Sequence, residues 1–171
     1  MLKKDCLFGY FTSQSYANFY LQDLDHYIKE QLHIKYYIRY MDDMVLFGRN
    51  KKELHKCRIL IEDFLSKEGL KIKDNWQLFK IDSRPLDFLG YRFYRGYTTL
   101  RRSNFLRIKR RVKKIIKRGY IRLNDAYSMI SYNGWLSHCN SFNYINKYIK
   151  PYISLKNCKG VIKNGRSKVK L

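Results

Sequence analysis

Acidic residues are scarce. Asp and Glu number 14 in a chain of 171 residues, against 36 Lys and Arg, and the formal net charge is +22. Such an excess of one sign repels itself unless an anionic partner balances it, which points to nucleic acid or an anionic membrane surface. Long apolar runs are also missing. No stretch approaches the roughly 20 residues of a bilayer span, so no transmembrane helix is expected. The opening MLKKDCLFGY has charge but neither a long apolar segment nor a small-residue cleavage site, and reads poorly as a signal peptide. The four cysteines, Cys6, Cys57, Cys139 and Cys158, form no CxxC pair. Free thiols in a reducing compartment are expected over disulfides or a zinc site. No internal repeat is present.

Aromatic residues are plentiful: 16 Tyr and 10 Phe are interleaved with the basic residues. Stacking on bases with cations on phosphates favours nucleic acid over a membrane surface. An AT-rich genome would also raise Lys, Tyr, Ile and Asn, but would not remove acids.

The pattern predicts a helix over 13–31, where Tyr16, Phe19, Tyr20 and Leu24 fall at helical spacing without Gly or Pro. KYYIRY and MVLFG read as two strands. Asn50 caps a second helix whose apolar face is Leu54, Cys57, Ile61, Phe64 and Leu65, and Gly69 ends it. LKIK (70–73) and WQLFKI (76–81) alternate like strands, and PLDFLGYRFY with GYTTLRR reads as a hairpin. Beyond about residue 102 come a basic helix capped by Ser103 and stopped by Gly119, then two more helices, the last ended by Pro151. Trp135 is expected to be buried between the last helices, and His138–Cys139 reads as packing, since neighbours on a helix cannot face each other as a catalytic pair. From Lys156 the tail has six basic residues and no acid, and is expected to be disordered. The fold class is α+β with a helical subdomain.

Between the two strands stand adjacent carboxylates, Asp42 and Asp43, in YMDD. No glycine eases the turn, although a two-residue hairpin favours Asn-Gly or Asp-Gly. Two acids on a rigid hairpin can hold hard cations such as Mg²⁺ together with phosphate oxygens. A solvated Asp-Asp turn is the alternative. Between Arg84 and Arg118 there are 13 basic residues and one acid. That stretch reads as a binding face for nucleic-acid backbone, or else as a solvated face. Tyr16, Phe19 and Tyr20 suit either a nucleotide contact or the core.

YMDD between apolar strands resembles the third palm block of reverse transcriptases. The surroundings resemble the same family in order. FGYFTSQSYANFYLQDLD is similar to the preceding block, RILIEDFLSKEGLKI to the following helix and strand, LDFLGYRF to the primer-grip hairpin, and SYNGWLSHCNSFNYINKYI to the thumb of the bacterial enzymes. The likeness spans roughly residues 5–152. Gly9 to Gln14 has the GxxxSQ form, which looks like that of diversity-generating retroelements, whose enzymes miscopy template adenines; a group II intron-like enzyme is the alternative subtype. Where group II intron enzymes carry a Lys after YMDD, Trp76 aligns here, with Lys73 and Lys80 nearby.

The resemblance implies an RNA-directed DNA polymerase working by two-metal phosphoryl transfer. Its implied catalytic and Mg²⁺-binding residues are Asp42 and Asp43, with two ions in the complete enzyme. Gly9, Ser13, Gln14, Asn18, Tyr40 and Met41 are the implied nucleotide- and template-binding residues. Phe88, Leu89, Gly90 and Tyr91 form the implied primer grip. Arg101, Arg102, Arg107, Lys109, Arg110, Arg111, Lys113 and Lys114 are expected on nucleic-acid backbone. Partners would be an RNA template, a DNA primer or RNA–DNA hybrid, and dNTP, with no membrane, in the cytoplasm of a bacterium or phage host. Residues 1–98 are expected to be the later half of a palm, 99–155 a helical thumb, and 156–171 the basic tail. Met1 stands eight residues before Gly9, so fingers and the first palm block, with its aspartate, are expected on a missing N-terminal chain. Asp82 and Asp87 follow YMDD and do not sit in that block's context. The expectation is a truncated gene or split protein, inactive alone. The alternative is a noncatalytic nucleic-acid-binding remnant of a retroelement.

Overall fold

Residues 36–47 fold back on themselves as their alternation requires. β1 (Tyr36–Tyr40) and β2 (Asp43–Phe47) pair antiparallel from Tyr36↔Phe47 to Tyr40↔Asp43, leaving Met41 and Asp42 as a two-residue turn. The computed structural model describes residues 11–165 and 168–170, with side chains for all of these except 11–14, 17 and 168–170. Two units are distinguished, Met1–Phe79 and Lys80–Leu171.

In the first unit, Tyr37, Met44 and Leu46 project from one face of the hairpin onto a core of Leu24, Ile28, Ile61 and Leu65. The opposite face carries Tyr36, Ile38 and Tyr40, each more than half exposed. The predicted helix 13–31 is broken. α1 (Phe11–Tyr20) ends at Leu21, α2 (Gln22–His26) follows, and Tyr27–Gln31 is a π-helical segment. The two parts use different faces. Leu24 and Ile28 are buried in the core, whereas Tyr16, Phe19 and Tyr20 of α1 are exposed. α3 (Lys51–Lys67) behaves as its sequence predicts. The Asn50 side chain accepts from Lys52 N at 2.9 Å, and Gly69, at φ 72°, closes the far end, with Leu70 N donating to Leu65 O.

The expected strands at 70–73 and 76–81 do not form. Side chains anchor this stretch instead of a backbone ladder. Trp76 stacks on His55 of α3 at 5.9 Å, Arg58 lies over its ring at 4.5 Å, and Ile72 packs on the core.

In the second unit β3 (Leu86–Phe88), β4 (Tyr91–Phe93) and β5 (Thr98–Leu100) form an antiparallel meander. α4 (Arg102–Arg118), β6 (Tyr120–Arg122), α5 (Leu123–Ser137), α6 (Phe142–Tyr148), α7 (Leu155–Lys163) and β7 (Lys168–Lys170) follow. Ile108, Val112 and Ile115 are spaced to form one stripe of α4, which sinks into a core with Ile121, Met129, Leu136 and Val161. Gly119, at φ 75°, stops α4 as expected, but the cap position is Arg101 rather than Ser103.

Three further expectations need correction. The division falls after Phe79, not at residue 98, because Leu100 of β5 is in the helical core and Tyr91 of β4 packs against it. The tail from Lys156 is not disordered through its length. Residues 155–163 are helical because Cys158 and Val161 recur at helical spacing and are buried in the same core, with α7 packed on α5. β7 then pairs antiparallel with β6. Trp135 is half-buried at the core margin, with its ring 5.3 Å from that of Tyr132.

Candidate functional site

The acidic turn is held from two sides. Met41 has φ +54°, a left-handed conformation uncommon for a residue with a Cβ, while Asp42 does not share it. This is the backbone consequence of a two-residue turn without glycine. On β1, Arg39 lies on the helix-facing side. Its Nε donates to Asp25 Oδ1 at 2.8 Å and its Nη2 to Asp25 Oδ2 at 2.5 Å. Its Nη1 donates to the Met41 carbonyl at 3.1 Å and to Asn18 Oδ1 at 3.2 Å. Tyr37 OH donates to Asp25 Oδ1 at 2.8 Å. Partial burial pushes the Asp25 carboxyl up, but the bonds from Arg39 and Tyr37 and the guanidinium charge outweigh it, and the net shift is downward. Burial and the bond to Asp25 raise the Tyr37 phenol.

A lowered carboxyl has a defined linkage. Asp25 contributes its stabilisation fully above its unfolded value of about 3.9, and that contribution is lost as pH falls through the lower folded value. The urea midpoint of the native chain should therefore exceed that of Asp25→Asn at pH 6, and the gap should close as pH drops below about 3.9. Parallel midpoint curves down to strong acid would rule this out.

Asp42 and Asp43 are both exposed. Lys73 Nζ lies 2.9 Å from Asp42 Oδ2, and this ammonium holds the carboxyl below the usual range while the carboxylate raises the lysine. Of the two lysines near Trp76 in sequence, Lys73 and Lys80, Lys73 is the one bonded to the acidic pair. For magnesium the donor set fits in kind, since hard carboxylate oxygens beside room for phosphate oxygens suit that ion. It falls short in number for two ions: among the described residues no group of three His, Cys, Asp or Glu is placed to hold a metal.

The other expected nucleotide-site residues divide. Gly9 lies outside the described residues, and Ser13 and Gln14 are on α1 with side chains outside them. Asn18 is bonded to Arg39, Tyr40 is 52% exposed beside the turn, and Tyr20 bonds the Glu68 carbonyl. The core alternative for Tyr16 and Phe19 fails, since both are exposed.

In the second unit, Leu89 and Gly90 form the turn between β3 and β4, both with positive φ, at 50° and 84°. That geometry matches the twist of a tight hairpin. Gly90 O accepts from Arg101 N at 2.8 Å, and a Cβ at Gly90 would meet Asn104 Nδ2 at 3.0 Å. Phe88 is half-buried, and Tyr91 OH donates to Trp135 O at 3.1 Å.

The eight basic residues expected on nucleic-acid backbone are not equivalent. Arg102, Arg107, Arg110, Lys113 and Lys114 are exposed and have no ion-pair partner among the described residues. Three are otherwise engaged. Arg101 pairs with Asp87 through Nε at 2.9 Å, and Lys109 lies 4.4 Å over the Tyr148 ring. Arg111 Nη1 donates to Asp125 Oδ1 at 3.0 Å, so its charge is spent inside the unit rather than on a ligand.

Asp125 is what sequence reasoning missed. It is 2% exposed, takes bonds from Arg111 and Arg118, and accepts from Arg122 N at 3.2 Å at the start of α5. The signal was there: Asp125 is the one acid after Asp87 in a strongly basic stretch. Asp82 and Asp87, for their part, pair with Arg95 and with Arg101. No helix among the described residues is long and apolar enough to cross a membrane.

Comparison with curated proteins finds no match. The family model described as reverse transcriptase (RNA-dependent DNA polymerase) matches residues 2–93, more than half of the chain. That stretch contains the broken helix, the hairpin with its acidic turn and the β3–β4 turn, and on this match the chain belongs to the reverse transcriptase family.

Proposed function

We propose that this chain is a palm-and-thumb portion of an RNA-directed DNA polymerase of a bacterial or phage retroelement. The first unit is the later part of the palm, the β3–β5 meander is the primer grip, and α4–α7 form the thumb. The observation that carries the reading is the adjacent Asp42 and Asp43 at the tip of a β-hairpin, held by a hydrogen bond from Arg39 to the Met41 carbonyl on one side and by the Lys73–Asp42 ion pair on the other.

Asp42 and Asp43 would hold magnesium through their carboxylate oxygens, and the ion would supply charge neutralisation and Lewis-acid polarisation for phosphoryl transfer. The chain's own residues position the reactants. Asn18, Tyr40 and Met41 border the nucleotide, Lys73 adds positive charge beside the phosphates, and Leu89 and Gly90 present backbone to the primer. Arg102, Arg107, Arg110, Lys113 and Lys114 hold the phosphates of template and primer. Two carboxylates do not complete two near-octahedral shells, so the site needs a further oxygen donor besides Asp42 and Asp43.

Primer extension on an RNA template tests this. The 171-residue chain should not extend a primer alone, should do so with a fingers polypeptide bearing an aspartate block, and should lose that activity as Asp42→Asn. Synthesis by the chain alone would overturn the need for a complement. A second reading is a noncatalytic nucleic-acid-binding remnant, favoured by the exposed cations of α4. Salt-dependent binding without synthesis in any combination would select it.

A further inference from the structure

The turn between β1 and β2 poses a problem that its residues do not solve alone. Met41 stands at positive φ where glycine would be unstrained, and the two acids follow directly. A small rotation at residue 41 swings both carboxylates, so whatever fixes this one backbone conformation fixes the site.

Arg39 is placed to do this. Its side chain is 10% exposed. The bidentate pair with Asp25 locks the guanidinium plane, since fork-to-fork geometry sets orientation as well as distance. Tyr37, two residues earlier on the same face of β1, in turn orients Asp25. With the plane locked, Nη1 points at the Met41 carbonyl at 3.1 Å. Holding that carbonyl holds the peptide that follows residue 41. The same guanidinium bonds Asn18 of α1 through its side chain at 3.2 Å and its carbonyl at 3.4 Å. One partly buried cation thus ties α1, α2 and the turn together. Lys73 differs in kind: it is 68% exposed and touches a carboxylate rather than the backbone.

We infer that Arg39 is a positioning residue: anchored by Asp25, it holds Met41 in the left-handed conformation that aims Asp42 and Asp43. The consequence for metal binding rests on the reading of those two acids under Proposed function; the consequence for Met41 does not.

The substitution Arg39→Lys keeps the charge opposite Asp25 but has no second nitrogen to reach the Met41 carbonyl. The full chain labelled with ¹³C-methionine reports the backbone angles of Met41 through its Cα and Cβ shifts, and Mn²⁺ broadening of the Asp42 and Asp43 amides reports cation binding. In Arg39→Lys the Met41 shifts should leave the left-handed range, and Mn²⁺ affinity should fall about tenfold or more, as for loss of a partner that orients a metal ligand. Adding Met41→Gly should restore the affinity, because glycine takes positive φ without strain. An arginine that only braces α2 against β1 would lower the melting midpoint, leave the Met41 shifts in place and gain nothing from the glycine; that result overturns the assignment. If Arg39→Lys alone does not fold, the double variant decides: a chain refolded by the glycine supports the inference, and one still unfolded refutes it. If Mn²⁺ does not bind the native chain, the metal reading fails, and the Met41 shifts still decide the role of Arg39.

Discussion

Replacing Asp125 by Ala is expected to cost the Lys80–Leu171 unit about 3–5 kcal/mol, the penalty for breaking a buried ion pair from one side. The carboxylate is 2% exposed and receives two guanidinium groups and a backbone N–H. Without it Arg111 and Arg118, two turns apart on one side of α4, lose their shared acceptor. Arg118 has little reserve, because its Nε is already buried without a hydrogen-bond partner. The first turn of α5 loses its acceptor as well, a smaller loss of about 1 kcal/mol. Urea unfolding followed by Trp135 fluorescence measures the sum. Asp125→Asn should fall between native and Ala, since an amide oxygen can still accept from Arg122 N. Replacing Asp125, Arg111 and Arg118 together by apolar residues of similar volume should recover much of the loss, because no charge is then stranded. A midpoint unchanged in Asp125→Ala would mean that the arginines reach solvent and that the cluster holds nothing.

Affinity for an RNA–DNA or RNA duplex is expected to collapse with salt. Five exposed cations on one side of α4 can neutralise about five phosphates, giving a slope of about −4.5 in log affinity against log salt, using the B-DNA coefficient. Between 50 and 200 mM salt that is a loss of about 500-fold. The triple substitution Arg107→Ala, Arg110→Ala and Lys114→Ala removes three of the five and should flatten the slope to about −1.8. Arg111→Ala is the control. Its guanidinium serves Asp125, so it should lower stability and leave the slope alone. A slope unchanged in the triple variant, or flattened by Arg111→Ala, would place the phosphates elsewhere.

What could be read from the chain, and what could not, follows from range. β1 and β2, the cap at Asn50 and the stop at Gly119 are set by residues within a few positions of each other, and they stand where the pattern puts them. The acidic pair was legible for the same reason. The stretch 70–81 was not, because alternation says only that a strand would be half-buried; Trp76 is instead pinned by His55 and Arg58, about 20 residues away in sequence. α7 was hidden by composition: basic residues without an acid suggested disorder, while the spacing of Cys158 and Val161 carried the helix. The clamp of Asp25 on Arg39 and the grip of Asp125 on Arg111 each join residues 14 apart on different elements. No local pattern distinguishes such an arginine from one that faces solvent, so the eight basic residues looked alike.

The exposed side of the hairpin sets a practical ceiling on salt. Tyr36, Ile38 and Tyr40 line one face of a ribbon whose edges, among the described residues, pair with no other strand. Such an edge templates self-association. At low ionic strength the net charge of +22 keeps copies apart, but the screening length shrinks to about 10 Å at 0.1 M and about 3 Å at 1 M. The salt that strips contaminating nucleic acid from this chain during purification therefore also removes its colloidal protection. Light scattering across a salt series should show a window, bounded below by retained nucleic acid and above by sheet-mediated aggregation, and Ile38→Lys on the open face should widen it from above.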